Sequence, residues 1–179
     1  PLINIGRSPA KLDAEAPLIA ASMVNNLQEL LESGRHLFGD LNEVLLVGYG
    51  AVGRAVAARL RTQGYEVTVF DNVAETRATA TADGFPTVNL DAPLLRRCIV
   101  AASTGGISFP ATSQEILQPG SILANMGSSD LEFAAWGLRE SEAVHTIFDT
   151  QGRELSSDDP EPPWAKHYQL IADRGYRYL

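Results

Sequence analysis

Apolar residues Ala20, Met23, Val24, Leu27, Leu30 and Leu31 recur at helical spacing between Asp13 and Glu32, and "ESGRHLFGD" then breaks the pattern. This predicts a long amphipathic helix. "EVLLVG" is continuously apolar after Glu43 and reads as a buried strand; "AVGRAVAARLRTQ" reads as a helix stopped by Gly64, and "YEVTVFD" as a second strand that ends on an acid. The alternation continues with a helix in "VAETRATATAD", a short strand in "FPTVNL", a short helix in "APLLRR" and a buried strand in "CIVAAS". After the turn "TGG" come a helix in "ATSQEILQPG", a strand in "SILANMG", a helix in "LEFAAWGLRE" and a strand in "AVHTIFDT".

Nearly all-apolar strands alternating with helices imply an α/β fold, a doubly wound parallel sheet covered on both faces. The proline-rich acidic stretch "SSDDPEPPW", residues 156–164, fits neither a helix nor an interior strand and marks a boundary. Beyond it, residues 165–179 read as a hairpin around Asp173-Arg174-Gly175, an antiparallel pair at the sheet edge. One domain over 1–179 is expected, with a leading helix and connector at 13–36 and a core at 43–150. A chain that opens on proline and ends in "YRYL" reads as a fragment of a longer protein.

With 14 basic and 22 acidic residues the net charge is −8, which opposes nucleic acid and anionic membranes as partners. No stretch is long and apolar enough to span a bilayer, and Pro1 to Pro17 lacks the apolar segment of a secretory leader, so a cytoplasmic location is expected. The single cysteine, Cys98, excludes an internal disulfide and reads as a buried small hydrophobe. His36, His145 and His167 have no partners at metal-ligand spacing, so no metal site is expected. Trp136 and Trp164 read as packing residues.

Gly48, Gly50 and Gly53 form a GxGxxG pattern between a strand and a helix, the context in which the spacing has a mechanism. The first glycine permits the turn, the second lets backbone approach a pyrophosphate, and the third lets helix and strand pack closely. Free N–H groups from Ala51 through Val52 to Arg54 would then face the phosphates. Asp71 ends the next strand about twenty residues on, where an acid accepts the adenosine ribose hydroxyls and its charge repels a 2′-phosphate. NAD is thus favoured over NADP; the competing role for Asp71 is to cap the helix beginning at Val73. Two later turns, Ser103-Thr104-Gly105-Gly106 and Asn125-Met126-Gly127-Ser128, follow successive strands and could offer hydroxyl and amide groups to the nicotinamide half.

The succession "VGYGAVGRAVA", "VTVFD", "ASTGG" and "NMGSSDLEF" resembles the NAD-binding domain of S-adenosylhomocysteine hydrolase over residues 43–140, and "HYQLIADRGYRYL" resembles the stretch leading to that family's C-terminal tail. The resemblance implies a Rossmann-type fold, a tightly held NAD, transient oxidation of a substrate ribose 3′-hydroxyl and elimination of homocysteine. It also implies a small-molecule substrate of the nucleoside class and a homo-oligomer. It assigns the diphosphate loop to Gly50, Ala51, Val52, Gly53, Arg54 and Ala55, the ribose acid to Asp71, a further contact to Thr76, and the family's "NIGH" turn to Asn125, Met126, Gly127 and Ser128.

This sequence departs from the family pattern in having Asp71 for a glutamate, Ala55 for a glycine and Ser128 for a histidine. The family's proton-transfer lysine and aspartate have no match at the right spacing: Lys11 and Asp13 are nearby, and Asp13 reads as a helix N-cap. The catalytic residues therefore stay unassigned, and the isolated chain is expected to bind cofactor without turnover. Two other readings stay open, the cofactor domain of a D-2-hydroxyacid dehydrogenase-like oxidoreductase and a non-catalytic nucleotide-sensing module.

Overall fold

The computed structural model describes residues 9–33, 35, 39–91, 94, 96–109, 116–127, 131–133, 144–148, 154–155, 169–172 and 177–178. Helix α1 (Pro9–Ser33) precedes β1 (Glu43–Val47), α2 (Ala51–Thr62), β2 (Glu66–Phe70), α3 (Ala74–Ala82), β3 (Ile99–Ala102) and β4 (Ile122–Asn125). Four short strands follow: β5 (Val144–Phe148), β6 (Glu154–Leu155), β7 (Gln169–Ala172) and β8 (Arg177–Tyr178).

All eight strands join one sheet in the order β2-β1-β3-β4-β8-β7-β5-β6. β1 pairs in parallel with β2 on one side and with β3 on the other, and β3 pairs in parallel with β4. Chain order therefore reverses at β1, which places a switch point between β1 and β3 at their carboxyl ends. Strand β1 is apolar from Val44 to Val47 because both its faces are covered there. Val44 and Leu46 join a cluster with Val24, Leu27, Val56 and Leu60 from α1 and α2, while Leu45 and Val47 join Val100, Leu123, Phe109 and Phe133 on the other face.

Helix α1 starts at Pro9, four residues before the start the apolar spacing implies, so Asp13 lies inside the helix and is not its N-cap. The preceding residues are good helix formers, and a proline in the first turn loses no hydrogen bond there. Pro17 is also accommodated within α1. Lys11 falls in the same first turns. The helix docks along α2 through Ala20, Val24 and Leu27, which are at most 3% exposed; burying the two larger side chains contributes about 1.5–3 kcal/mol each.

"FPTVNL" forms a single parallel bridge, Val69 to Thr87, in place of a full strand. Val69 donates to Pro86 O and accepts from Val88 N, which uses up the pairing available where a proline supplies no N–H. Of the "APLLRR" helix, residues 94, 96 and 97 are described and are not helical, and of "ATSQEILQPG" only the non-helical end from Ile116 is described. Leu131–Phe133 make a turn, and residues 134–143 lie outside the described residues, as do His36, His167, Trp136, Trp164 and Ser128.

The C-terminal hairpin is present, with β7 antiparallel to β8, yet it is not at the sheet edge. β8 pairs in parallel with β4, and β5 pairs antiparallel with β7 outside it. "AVHTIFDT" is thus a strand, as its pattern implies, but it does not extend the parallel series, because the edge of β4 that it would need is held by β8. Among the described residues, no helix is long and apolar enough to cross a membrane.

Candidate functional site

The carboxyl ends of β2, β1, β3 and β4 set four features side by side: Asp71, the glycine turn, the turn after Ala102 and the turn after Ile122–Asn125. Gly48 takes φ +94°, a left-handed conformation that side-chain-bearing residues rarely adopt, and its N–H donates to Phe70 O at 2.8 Å. A Cβ on Gly53 would stand 2.0 Å from Gly48 O, so the third glycine is required for the helix to leave the turn at this angle. A Cβ on Gly50 would meet nothing within 4 Å; the backbone there borders open space.

Gly50 is the N-cap of α2 and supplies no side-chain acceptor, and the first helical bond runs from Arg54 N to Gly50 O at 2.8 Å. The first-turn N–H groups, from Ala51 to Gly53, thus have no acceptor within the helix, an arrangement that attracts anions. The side chains of Val52 and Ala55 are partly buried against the core and carry no polar group. The Arg54 guanidinium forks onto Asp83, with Nη2 and Nε each 2.8 Å from a carboxylate oxygen. Its side chain is engaged away from the turn.

Asp71 is half-buried, and its carboxylate does two jobs. Oδ2 accepts the Tyr49 N–H at 2.8 Å and Oδ1 accepts the Val73 N–H at 2.9 Å. Asp71 is not the helix cap: the N-cap of α3 is Val73, no side chain caps the first-turn N–H groups, and the bond from Val73 N to Asp71 is a local turn ahead of the helix. Each carboxylate oxygen can accept more than one hydrogen bond, so these contacts leave capacity for ribose hydroxyls. Arg77 Nη1 donates to the Asp71 carbonyl and holds this corner further. Thr76 sits half-buried in the first turn of α3, the helix that Asp71 leads into.

Tyr49, between the first two glycines, is 3% exposed and packs edge-on to Phe85 with centroids 5.8 Å apart. Its hydroxyl donates to Asp83 Oδ2 at 2.9 Å. Burial, with the Asp83 hydrogen bond and charge behind it, pushes the phenol up to about 12. The spacer of the glycine motif is thus a core residue.

On the other side of the switch point, Thr104 and Gly105 are not free to serve a ligand as donors. Thr104 Oγ1 donates to Glu132 Oε2 at 2.8 Å and Gly105 N to Glu132 Oε1 at 2.6 Å. Ser103 Oγ is buried and has no hydrogen-bond partner. In the next turn, Asn125 Oδ1 accepts from Gly127 N at 2.9 Å, and Met126 is 4% exposed within the α1-side core. With its N–H donating to Ala102 O at 2.9 Å, Met126 is left with its carbonyl alone to offer a ligand. Glu132 is the site residue that sequence patterning missed. In "DLEFAA" it looks like the polar face of a helix, and only its 1% exposure and its partners reveal its place.

The open space beside Gly50, the uncapped first turn of α2 and the orphaned Ser103 hydroxyl together fit a dinucleotide laid across the strand ends. A cavity of about 690 Å³, lined by residues such as Glu43, Glu66, Thr68 and Arg96, opens at the opposite ends of β1 and β2 and contains none of these groups.

Comparison with known proteins agrees with this geometry. An uncharacterised Mycobacterium tuberculosis protein is 35% identical over 140 residues, covering 78% of this chain and 25% of that protein. Adenosylhomocysteinase of Sulfurisphaera tokodaii is 35% identical over 131 residues, covering 72% of this chain and 30% of the enzyme. The chain thus spans about a quarter of the length of the curated relatives it matches. Dipicolinate synthase A chain from Bacillus subtilis superposes with a TM-score of 0.57 at 13% identity, over 78% of this chain and 46% of that one, a likeness of fold. The model of the family described as S-adenosyl-L-homocysteine hydrolase, NAD binding domain, matches residues 24–159. That stretch takes in most of the chain, from mid-α1 through the glycine turn, Asp71 and the two later turns, and the chain belongs to this family as its NAD-binding domain.

Proposed function

We propose that this domain holds NAD for hydride exchange with a hydroxyl of a nucleoside-type small molecule, in an enzyme of the adenosylhomocysteinase kind. The observation that carries the proposal is the order of groups along the sheet: Asp71 at β2, the glycine turn at β1, and the two small-residue turns at β3 and β4. That order follows a dinucleotide from its adenosine ribose through the diphosphate to its nicotinamide. When bound, NAD would supply the hydride acceptor.

The chain's own residues bind and orient. Asp71 would take the ribose hydroxyls, the backbone of Gly50, Ala51, Val52, Gly53 and Arg54 the diphosphate, and Thr76 a flanking contact on the adenosine side. Thr104, Gly105, Asn125, Met126, Gly127 and Ser128 would border the nicotinamide half. With Thr104 and Gly105 committed to Glu132 as donors, the turn contributes shape and hydroxyl acceptor capacity. The family's activity also supports a small-molecule substrate, hydrolase chemistry on S-adenosylhomocysteine, a homo-oligomer and a cytoplasmic setting for the whole protein.

The test is to purify the full natural protein, measure co-purified NAD(H) by absorbance and fluorescence, and titrate NAD, NADP and ATP by calorimetry. NAD should bind most tightly. Incubation with S-adenosylhomocysteine should then release homocysteine; binding of NAD without release would leave the cofactor role and remove the hydrolase reading.

A further inference from the structure

We propose that Glu132 is the positioning residue of the nicotinamide side, a buried carboxylate that fixes the shape of the turn after β3. This rests on the NAD-binding reading of the cleft. Glu132 Oε1 accepts Gly105 N at 2.6 Å, and Oε2 accepts the hydroxyls of Thr104 at 2.8 Å and Ser108 at 2.5 Å. Its carbonyl accepts Ser108 N and Phe109 N at 3.2 and 3.1 Å. One residue beyond β4 thus holds both ends of the segment that follows β3.

Burying a carboxylate is costly unless strong hydrogen bonds offset the lost hydration. Among the described residues, the donors that offset its burial are the neutral groups of Thr104, Gly105 and Ser108. Three donors converge on two oxygens, and a carboxylate accepts from all of them; an amide would have to keep its oxygen on Gly105 N and turn its NH2 to the two hydroxyls, reversing their hydrogen bonds. Packing repeats the clamp a layer deeper, where Phe109 and Phe133, both 0% exposed, meet edge to face with centroids 6.1 Å apart.

The clamp reaches the diphosphate turn as well. Thr104 Cγ2 lies 2.6 Å from where a Gly48 Cβ would stand, and Glu132 Cγ lies 3.5 Å from the corresponding point at Gly127. Through Thr104, Glu132 sets the turn after β3 against the glycine turn; directly, it sets the same segment against the turn after β4. A group that holds three turns in register without being exposed acts through them and not on the ligand itself.

The experiment compares NADH with ADP-ribose, which lacks the nicotinamide, on the full natural protein by calorimetry and NADH fluorescence. Glu132→Ala should weaken NADH about tenfold or more, the scale of losing one charge-assisted hydrogen bond network member, while ADP-ribose changes by less than about twofold. The emission of bound NADH should move towards that of free NADH. Glu132→Gln, and the separate variants Thr104→Val and Ser108→Ala, should show smaller losses of the same selectivity; they carry the test if Glu132→Ala does not fold. Equal losses for both ligands, or none for NADH, overturn the proposal while leaving the NAD site standing. A wild-type protein that binds neither ligand overturns the NAD reading itself, and this proposal with it.

Discussion

Asp71 Oδ2 accepts the Tyr49 N–H at 2.8 Å, which makes the acid ending β2 and the glycine turn ending β1 a single hydrogen-bonded unit. The acid proposed for the ribose and the turn proposed for the diphosphate are thereby fixed relative to each other before any ligand arrives. Asp71→Ala should weaken NAD by about tenfold or more and lower stability by about 1–2 kcal/mol, since two backbone N–H groups lose their acceptor. Asp71→Asn keeps one acceptor oxygen and should recover part of the stability while relaxing the preference against NADP. Calorimetry with both dinucleotides and urea unfolding would measure these effects; unchanged NAD affinity in Asp71→Ala would remove the ribose assignment.

Gly50 and Gly53 should separate binding from folding. A methyl group at Gly53 collides with Gly48 O, so Gly53→Ala is expected to cost about 2–3 kcal/mol or more in stability and to lower cofactor affinity with it. At Gly50 the same methyl group enters open space where the diphosphate is expected. Gly50→Ala should therefore melt close to wild type yet bind NAD more weakly. Thermal melts beside binding isotherms on the two variants decide the matter.

Tyr49 predicts a pH dependence. Its folded-state phenol is raised from 10 to about 12, so the folded protein holds this proton more tightly than the unfolded chain. The resulting stabilisation is complete below about pH 10 and is lost as pH rises from there towards about 12. Tyr49→Phe removes this alkaline loss and the bond to Asp83, at a neutral-pH cost of about 1 kcal/mol. Denaturant midpoints across pH 8–11 should converge for the two proteins at the alkaline end.

Cys98 should be inert. It is 6% exposed, and burial pushes its thiol from 9 up to about 11. A disulfide reagent at pH 8 should leave the folded protein unmodified and label it fully in denaturant; fast labelling of the folded chain would contradict this burial.

The β1-α2-β2 unit was legible because everything that specifies it is local: a continuous apolar run, three spaced glycines, a helix stopped by Gly64 and an acid closing the next strand. The "STGG" and "NMG" turns were legible as turns for the same reason. Their commitments were not. That Thr104 and Gly105 donate to Glu132 depends on residues 27 and 28 positions apart meeting across two strands, and no spacing rule announces such a pair. Pairing of β8 with β4 escaped for the same reason, since the sequence shows a hairpin but not the strand edge that receives it. Asp13 has the side chain of a helix cap, yet the helix formers before it extend α1 to Pro9 and leave it inside the helix.

The insertion of β8 has a kinetic consequence. Among the described strands, β5, β6 and β7 connect to the parallel half of the sheet only through β8, and that joint is Ile122 with Arg177 and Leu123 with Tyr178. Those partners are far apart in sequence, so a long loop must close before their pairing gives any return, and such contacts form late. The glycine-turn half, built from neighbouring segments, should acquire exchange protection first. The outer strands are then the part of this sheet that opens first when the protein is stressed, and they can do so while the turn around Gly48 remains assembled.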